Sequence, residues 1–436
     1  MNDGADSSVE RSALSKMSWR LLPLIGLSYL IAYMDRANIG FASLQMNADL
    51  GFSAAVYGLG AGLFFAGYSL FEIPSNLLLV RFGARRWIAR IMLTWGLLSA
   101  GMMFVQTPTQ FYVMRFLLGA AEAGFFPGVL LYLSSWFPAA SRGRAVSRFY
   151  IAVPLASMVM GSVAGALLGL DGSLGLAGWQ WLLLLEGVPA LVMAGILLRF
   201  LPDAPATASW LTVAEKDWIA SSLQADVKTS GASHDGFVRA LLDPAVLAIG
   251  TVLALVFACA NAVSFSGPKI LVEATGWSVT DVGFLVACGG LLSTIAMLFT
   301  GWHSDRRRER HVHIAAMSMF TVLAAVGMAM AVSPAITVAS FLVFTAASLI
   351  VGPLCMVLAS ESLHPDARPV GLAAVNTIAQ VGNFVGPVLW GIAADRTGSF
   401  SYGFGIIPFV VTAAIVLIFA MRQRTFRSAS TAVGLS

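Results

Sequence analysis

The feature that most constrains this chain is a series of apolar runs, each long enough to cross a lipid bilayer, separated by short polar turns. A helix needs roughly 20 predominantly apolar residues to span the hydrocarbon core. Six runs fall at 18–41, 55–80, 87–106, 110–135, 145–170 and 179–201. Six more follow at 241–266, 280–302, 312–331, 335–358, 369–393 and 401–421. Only 11% of the 436 residues are charged, where a soluble domain carries about 25%. The expected fold class is an all-α membrane protein, with twelve transmembrane helices in two six-helix bundles.

Orientation follows from the basic residues. If both termini face the cytoplasm, 22 of the 26 Lys and Arg residues fall in cytoplasmic segments. Lys269 and Arg396 fall outside, while Arg36 and Arg115 lie within spans. This bias predicts an even number of spans with both ends inside. The net charge of +4 is read as topology, not as affinity for nucleic acid. Residues 1–17 form a polar tail without a removable signal, so the first span is expected to direct insertion.

The chain divides into a bundle at 18–201, a linker at 202–240, a bundle at 241–421 and a tail at 422–436. Within the linker, Thr212 and Glu215 have capping-box spacing ahead of a short amphipathic helix. "KTSGASHDG" then reads as a flexible connector. The two halves echo each other: "NLLLVRFGARRW" follows the second span and "GWHSDRRRER" the eighth. Duplicated bundles of this kind suit a transporter with its site between them near the midplane.

Charges inside spans carry the functional argument. Asp35, Arg36, Glu72, Arg115, Glu122 and Glu186 all lie there. Each costs roughly 2.5–3.5 kcal/mol at a helix centre, so six facing lipid would cost on the order of 15 kcal/mol. They must therefore face the protein interior or water. Asp35 and Arg36 are adjacent, so they point about 100° apart and suit different partners. Arg115 and Glu122 lie seven apart on one face of the fourth span, roughly 10 Å along its axis, with Gly119 expected to leave room between them.

Arg36 and Arg115 fall at similar depth on separate helices. Two planar donor forks at one level suit a carboxylate, which accepts bidentate hydrogen bonds. Tyr33 and Tyr68 are placed to line the same cavity, with packing as the other reading. Glu72 and Glu186 read equally well as structural partners and as transport residues. In the second half the inward candidates are Asn261, Ser264, Ser266, Ser360, Asn376, Gln380 and Asn383. Asn376, Gln380 and Asn383 form one polar stripe at helical spacing, which serves either substrate or helix–helix contact.

Cys259, Cys288 and Cys355 lie singly without metal-like spacing. His303, His311, His313 and His364 read as solvated turn residues. No nucleotide loop, metal cluster or nucleophile–base spacing argues for an enzyme, and no cofactor or metal is expected.

"YLIAYMDRANIGFA", "GYSLFEIPSNLLLVRFGARRWIARIMLTWG", "RFLLGAAEAGFFPGVLLYLSSWFP" and "GWQWLLLLEGVPA" resemble the anion:cation symporters of the major facilitator superfamily. That group includes bacterial transporters for galactonate, glucarate, tartrate and phthalate. The resemblance covers essentially the whole chain and is strongest from Tyr29 to Pro202. It implies the major facilitator fold and proton-coupled uptake of a small organic anion, with the proton as coupling ion. Carried over by residue, it implies that Arg36 and Arg115 serve the anion and that Asp35 and Glu122 serve proton coupling. It implies that Tyr33, Tyr68, Asn376 and Asn383 contact substrate.

The superfamily's turn after the second span departs here, with Asn76 in place of Gly and Val80 in place of Asp. Arg81, Gly83, Arg85 and Arg86 remain, and Gly301, Asp305 and Arg306 keep the pattern in the second half. Glu72 or Asp305 is expected to substitute for the missing acid in a gating clasp. The expected setting is the bacterial inner membrane, as a monomer in the lipid bilayer. A membrane-embedded ligand sensor, an exporter and a uniporter are the alternatives.

Overall fold

Within a bilayer, a lone segment can satisfy its own backbone N–H and C=O groups only as a helix. The computed structural model describes residues 3–228, 242–330, 332–363 and 368–433. These form helices and short connections, with no strand among the described residues. The connector read beyond Lys228 and the turn residue His364 lie outside the described residues.

The first half comprises α1 (Asp3–Asp49), α2 (Ala54–Phe82), α3 (Ala84–Gly101), α4 (Pro108–Glu122), α5 (Phe125–Ser134), α6 (Ala139–Tyr150), α7 (Ala152–Leu168) and α8 (Gly178–Phe200). The linker helix is α9 (Val213–Lys228). The second half comprises α10 (Pro244–Thr275), α11 (Val279–Arg307), α12 (His311–Met330), α13 (Pro334–Ser362), α14 (Arg368–Thr397) and α15 (Ser401–Val433).

Local sequence sets where these helices start. The hydroxyls of Ser53, Thr107, Ser278 and Ser333 and the carboxylate of Asp243 each accept a backbone N–H from the first turn. Such caps satisfy donors that the helix itself leaves unpaired.

Among the described residues, eleven segments have the length and apolarity to cross a membrane. The fifth expected span completes twelve, but it is divided at Ile151 into α6 and α7. The two parts differ in composition: α6 carries Arg142, Arg144 and Arg148, and the 17 residues of α7 are without charge. The fourth span is also interrupted, between α4 and α5. Gly124 there adopts φ 82°, and a side chain on it would meet the Ser75 hydroxyl.

The first half packs around one continuous apolar core. The second half has two, separated along α10 and α14 by the level of Asn261, Gln380 and Asn383. Between the halves, α2 meets α14, α7 meets α11 and α1 meets α10. These contacts gather on the side away from the basic turns. There Gly58 and Gly62 lie against the Pro387 and Phe384 carbonyls, and Gly161 lies against Gly283. The Tyr57 hydroxyl donates to the Phe265 carbonyl at 3.1 Å. The Asp395 carboxylate accepts the Ala54 and Ala55 N–H groups at 2.7 and 3.0 Å, so a residue of the second half caps a helix of the first.

Towards the basic side the spacing reverses. Leu70, Ile73, Leu77 and Val80 on one face of α2 are exposed. The linker helix docks on the first half. Thr212 and Glu215 form the expected capping box, Glu215 pairs with Lys16 at 2.8 Å, and Asp226 pairs with Arg142 at 3.4 Å.

Candidate functional site

Adjacent on α1, Asp35 and Arg36 point to different helices, as their angular separation requires. Arg36 Nη2 and Nε reach Glu122 Oε1 on α4 at 2.6 and 2.7 Å. Asp35 turns the other way. Its Oδ1 accepts the Asn38 amide at 3.2 Å and the Ser99 hydroxyl of α3.

Glu122 is fully buried, and the Arg36 side chain is 26% exposed. The pair therefore bridges a dry interior and a solvent-reachable opening. Glu122 Oε2 has no hydrogen-bond partner. The interruption of the fourth span directly after Glu122 explains its position. Gly124 lets the chain turn against Ser75 of α2, and the carboxyl is left facing inward.

Arg115 is 1% exposed, and its Nε donates to the Gly60 carbonyl of α2 at 3.3 Å. The two guanidiniums flank one ring: Arg36 Cζ lies 5.8 Å and Arg115 Cζ 4.9 Å from the Phe64 centroid. Arg36 also lies 5.1 Å from the Tyr68 ring. A cation over an aromatic face within about 6 Å is attracted by the ring quadrupole.

Phe64 was not singled out from the sequence. The signal was available, since it stands one helical turn before Tyr68 on the same face of α2. Tyr33 is half-buried and packs edge-on to Tyr29 at 5.7 Å, beside the Arg36 opening.

One local expectation is corrected. Gly119 does not leave room between Arg115 and Glu122, because a side chain there would strike the Phe64 carbonyl and α2 fills the space. The carboxyl of Glu122 is held by Arg36, while Arg115, roughly 10 Å away along the α4 axis, bonds to α2.

In the second half the polar stripe forms an interhelical chain. The Asn261 amide donates to Asn383 Oδ1 at 2.5 Å, and the Asn383 amide donates to Gln380 at 2.6 Å. Asn376 is half-buried on the same helix. Ser266 accepts the Trp390 indole N–H at 3.1 Å. Ser264 is exposed, and Ser360 donates to the Val357 carbonyl of its own helix.

At the basic turn of the first half, Asp203 accepts the Arg85 backbone N–H at 2.9 Å beside Gly83. Its position far along the chain, after the sixth span, hid it from a reading of the local motif. Glu72 is half-buried, Arg81 lies over its neighbour Phe82, and Arg86 is exposed. Asp305 pairs within its own half, with Arg310 at 2.6 Å, and Arg310 also reaches Glu361 at 3.0 Å. Arg306 lies over Trp302.

Two six-helix halves closed on one side and parted on the other, with ionisable residues at their centre, define a membrane transporter. The chain belongs to the Major Facilitator Superfamily, whose sequence profile matches residues 25–387 and again 268–434. A protein from Agrobacterium vitis, provisionally named a tartrate transporter, is 41% identical over 422 residues, covering 95% of this chain and 92% of that one. A quinolone resistance transporter from Acinetobacter baumannii is 35% identical over 432 residues, 98% of each chain. The fold matches the inward-open xylose transporter XylE from E. coli with TM-score 0.74 at 16% identity, over 92% of this chain and 96% of that one.

Proposed function

We propose that this transporter takes up a small organic anion together with a proton. The observation that carries the reading is the Arg36–Glu122 ion pair at 2.6 Å, where an acid and the anion's docking group are the same bonded unit. A protonated Glu122 releases Arg36. The freed guanidinium then offers its fork to a substrate carboxylate, while Phe64 and Tyr68 hold the rest of its face.

Proton and anion thus enter together, and with a monocarboxylate the closed centre carries no added charge. With the basic turns taken as cytoplasmic, the described conformation is open to the inside, and release there completes uptake. Arg115 acts from behind Phe64, stabilising negative charge without meeting solvent. The amide chain of Asn261, Gln380 and Asn383 offers neutral dipoles from the facing half.

A sugar acid, a tartrate-like dicarboxylate and an aromatic carboxylate all fit this chemistry. The relative from Agrobacterium vitis makes tartrate the first probe. In proteoliposomes, Glu122→Gln is expected to retain exchange of the anion and lose accumulation driven by a pH gradient. Continued accumulation by this variant would refute the role. A thermal-shift screen of purified protein against carboxylates narrows the substrate, since a ligand that binds only the folded form raises its melting temperature.

Export is the second reading, favoured by the likeness to the quinolone resistance transporter. Efflux from loaded vesicles without a proton gradient requirement would select it.

A further inference from the structure

Lys269 is out of place by the charge rule that orients this chain. With both termini inside, Lys269 and Arg396 are the basic residues left on the outer side, where loops are poor in Lys and Arg. Arg396 is exposed at the end of α14. Lys269 stands instead on α10, in the seam where the two halves meet, and takes no part in the uptake chemistry above.

Two cavities meet at its side chain. One, of about 40 Å³, lies in the seam between α1 and α2 of the first half and α10 and α14 of the second. Ser43, Asn47, Tyr57 and Ser266 give it a polar lining, and Asn47 Oδ1 is buried without a hydrogen-bond partner. The other, of about 510 Å³, lies against the outer ends of α10 and α14. Ala54, Lys269 and Phe400 line both. Ser43 follows Arg36 by seven residues, so both lie on one face of α1, roughly 10 Å apart along its axis. The seam cavity is therefore on the route to Arg36.

The ammonium is held loosely. Its acidic neighbour Glu273 is 3.8 Å away, and the two side chains are 40% and 59% exposed. An exposed pair of this kind contributes little, so an arriving anion can take the ammonium over. The Phe400 ring, 5.6 Å from Nζ, keeps it at the junction of the cavities by cation–π attraction. Asp395, which borders the outer cavity, already accepts the Ala54 and Ala55 N–H groups.

We propose that Lys269 is the outer docking group for the transported anion. When the seam parts, the two cavities become one vestibule, and the ammonium holds the substrate's carboxylate before it reaches Arg36. A lysine suits this stop because it meets a carboxylate as a point charge, without the fixed geometry of a guanidinium fork. The Asn47 carbonyl is free to accept a hydroxyl of the same ligand.

The place of Lys269 on the route rests on the anion uptake proposed above, but docking is measured without transport. The chain has four lysines, so 13C-methylation of the full-length protein in nanodiscs gives few NMR signals, and Lys269→Arg assigns the one from Lys269. Tartrate, galactonate and benzoate are added in turn. At least one is expected to shift that signal, and sodium chloride at equal ionic strength is not. No shift with any of the three, or an equal shift with chloride, overturns the proposal.

For whichever of the three is exchanged across vesicles without a pH gradient, Lys269→Gln should raise the KM at the outer face about tenfold, the loss of one charge-assisted contact. The KM at the inner face should stay, and Lys269→Arg should restore the outer value. An unchanged outer KM, or an equal rise at both faces, refutes docking. If Glu122→Gln keeps gradient-driven accumulation, the coupling reading fails while the Lys269 signal stands. A silent Lys269 signal with accumulation lost in Glu122→Gln fails the docking site alone.

Discussion

The interiors of the two halves solve the same problem with opposite chemistry. In the first half, Asp35, Arg115, Glu122 and Glu186 are buried, and among the described residues no buried charged side chain lies beyond Glu215. The second half places Asn261, Gln380 and Asn383 at the level where its two apolar cores divide.

The energetic difference is large. Removing one partner of a buried ion pair leaves an uncompensated charge and is strongly destabilising, whatever the net worth of the intact pair. A buried amide chain loses much less when one link goes. Under the proposed proton-coupled uptake, one half changes protonation and partner while the other keeps a fixed polar surface. On that reading, coupling and shape recognition are divided between the halves.

The sharpest way to break that contrast is Arg36→Ala. Glu122 would be left buried and unpaired, at a cost of about 3–5 kcal/mol, read as loss of stability in detergent at neutral pH. Removing both partners together should restore most of it, and a double variant as unstable as the single one would show that the pair is not the unit.

A smaller effect is expected in the second half. Asn383→Ala leaves Asn261 and Gln380 without their shared partner, costing about 1–3 kcal/mol in the same assay. A loss equal to that of Arg36→Ala would erase the distinction between charged and neutral interiors.

The interface between the halves offers a third probe. Asp395→Ala removes the acceptor for two N–H groups at the start of α2, a capping contact worth about 0.5–2 kcal/mol. The side away from the basic turns should then open more often. Thiol labelling of Ser43→Cys in a background lacking native cysteines should rise, and unchanged labelling would mean that glycine packing alone holds the closure.

The smallest effect concerns the linker. Burial pushes the Glu215 carboxyl up, but the Lys16 and Ser12 side chains and the Thr212 N–H outweigh it and hold it at about 2. Docking of α9 is therefore fully supported above about pH 4.5 and weakens as pH falls towards 2. Proteolysis of the linker by an acid-active protease should rise in that window, and in Glu215→Gln it should be high throughout.

Much of the site was legible from the chain itself. Charged residues in apolar spans had to face inward, and adjacent Asp35 and Arg36 had to diverge. Phe64, Asp203 and the pairing of Arg36 with Glu122 were not legible. Phe64 looked like any apolar residue of a span, and Asp203 lies more than a hundred residues from the turn that it caps. Gly119 was read for the space it leaves, when its use is the approach of α2.

Composition and periodicity alone therefore determined the membrane-spanning helices, their division into two halves and the set of charges that could not face lipid, because bilayer cost acts on each segment separately. Which of those charges meet was decided only by tertiary structure. Partner choice depends on helix rotation, on the break after Glu122 and on backbone approach at Gly119, and those are set by packing between segments distant in the chain.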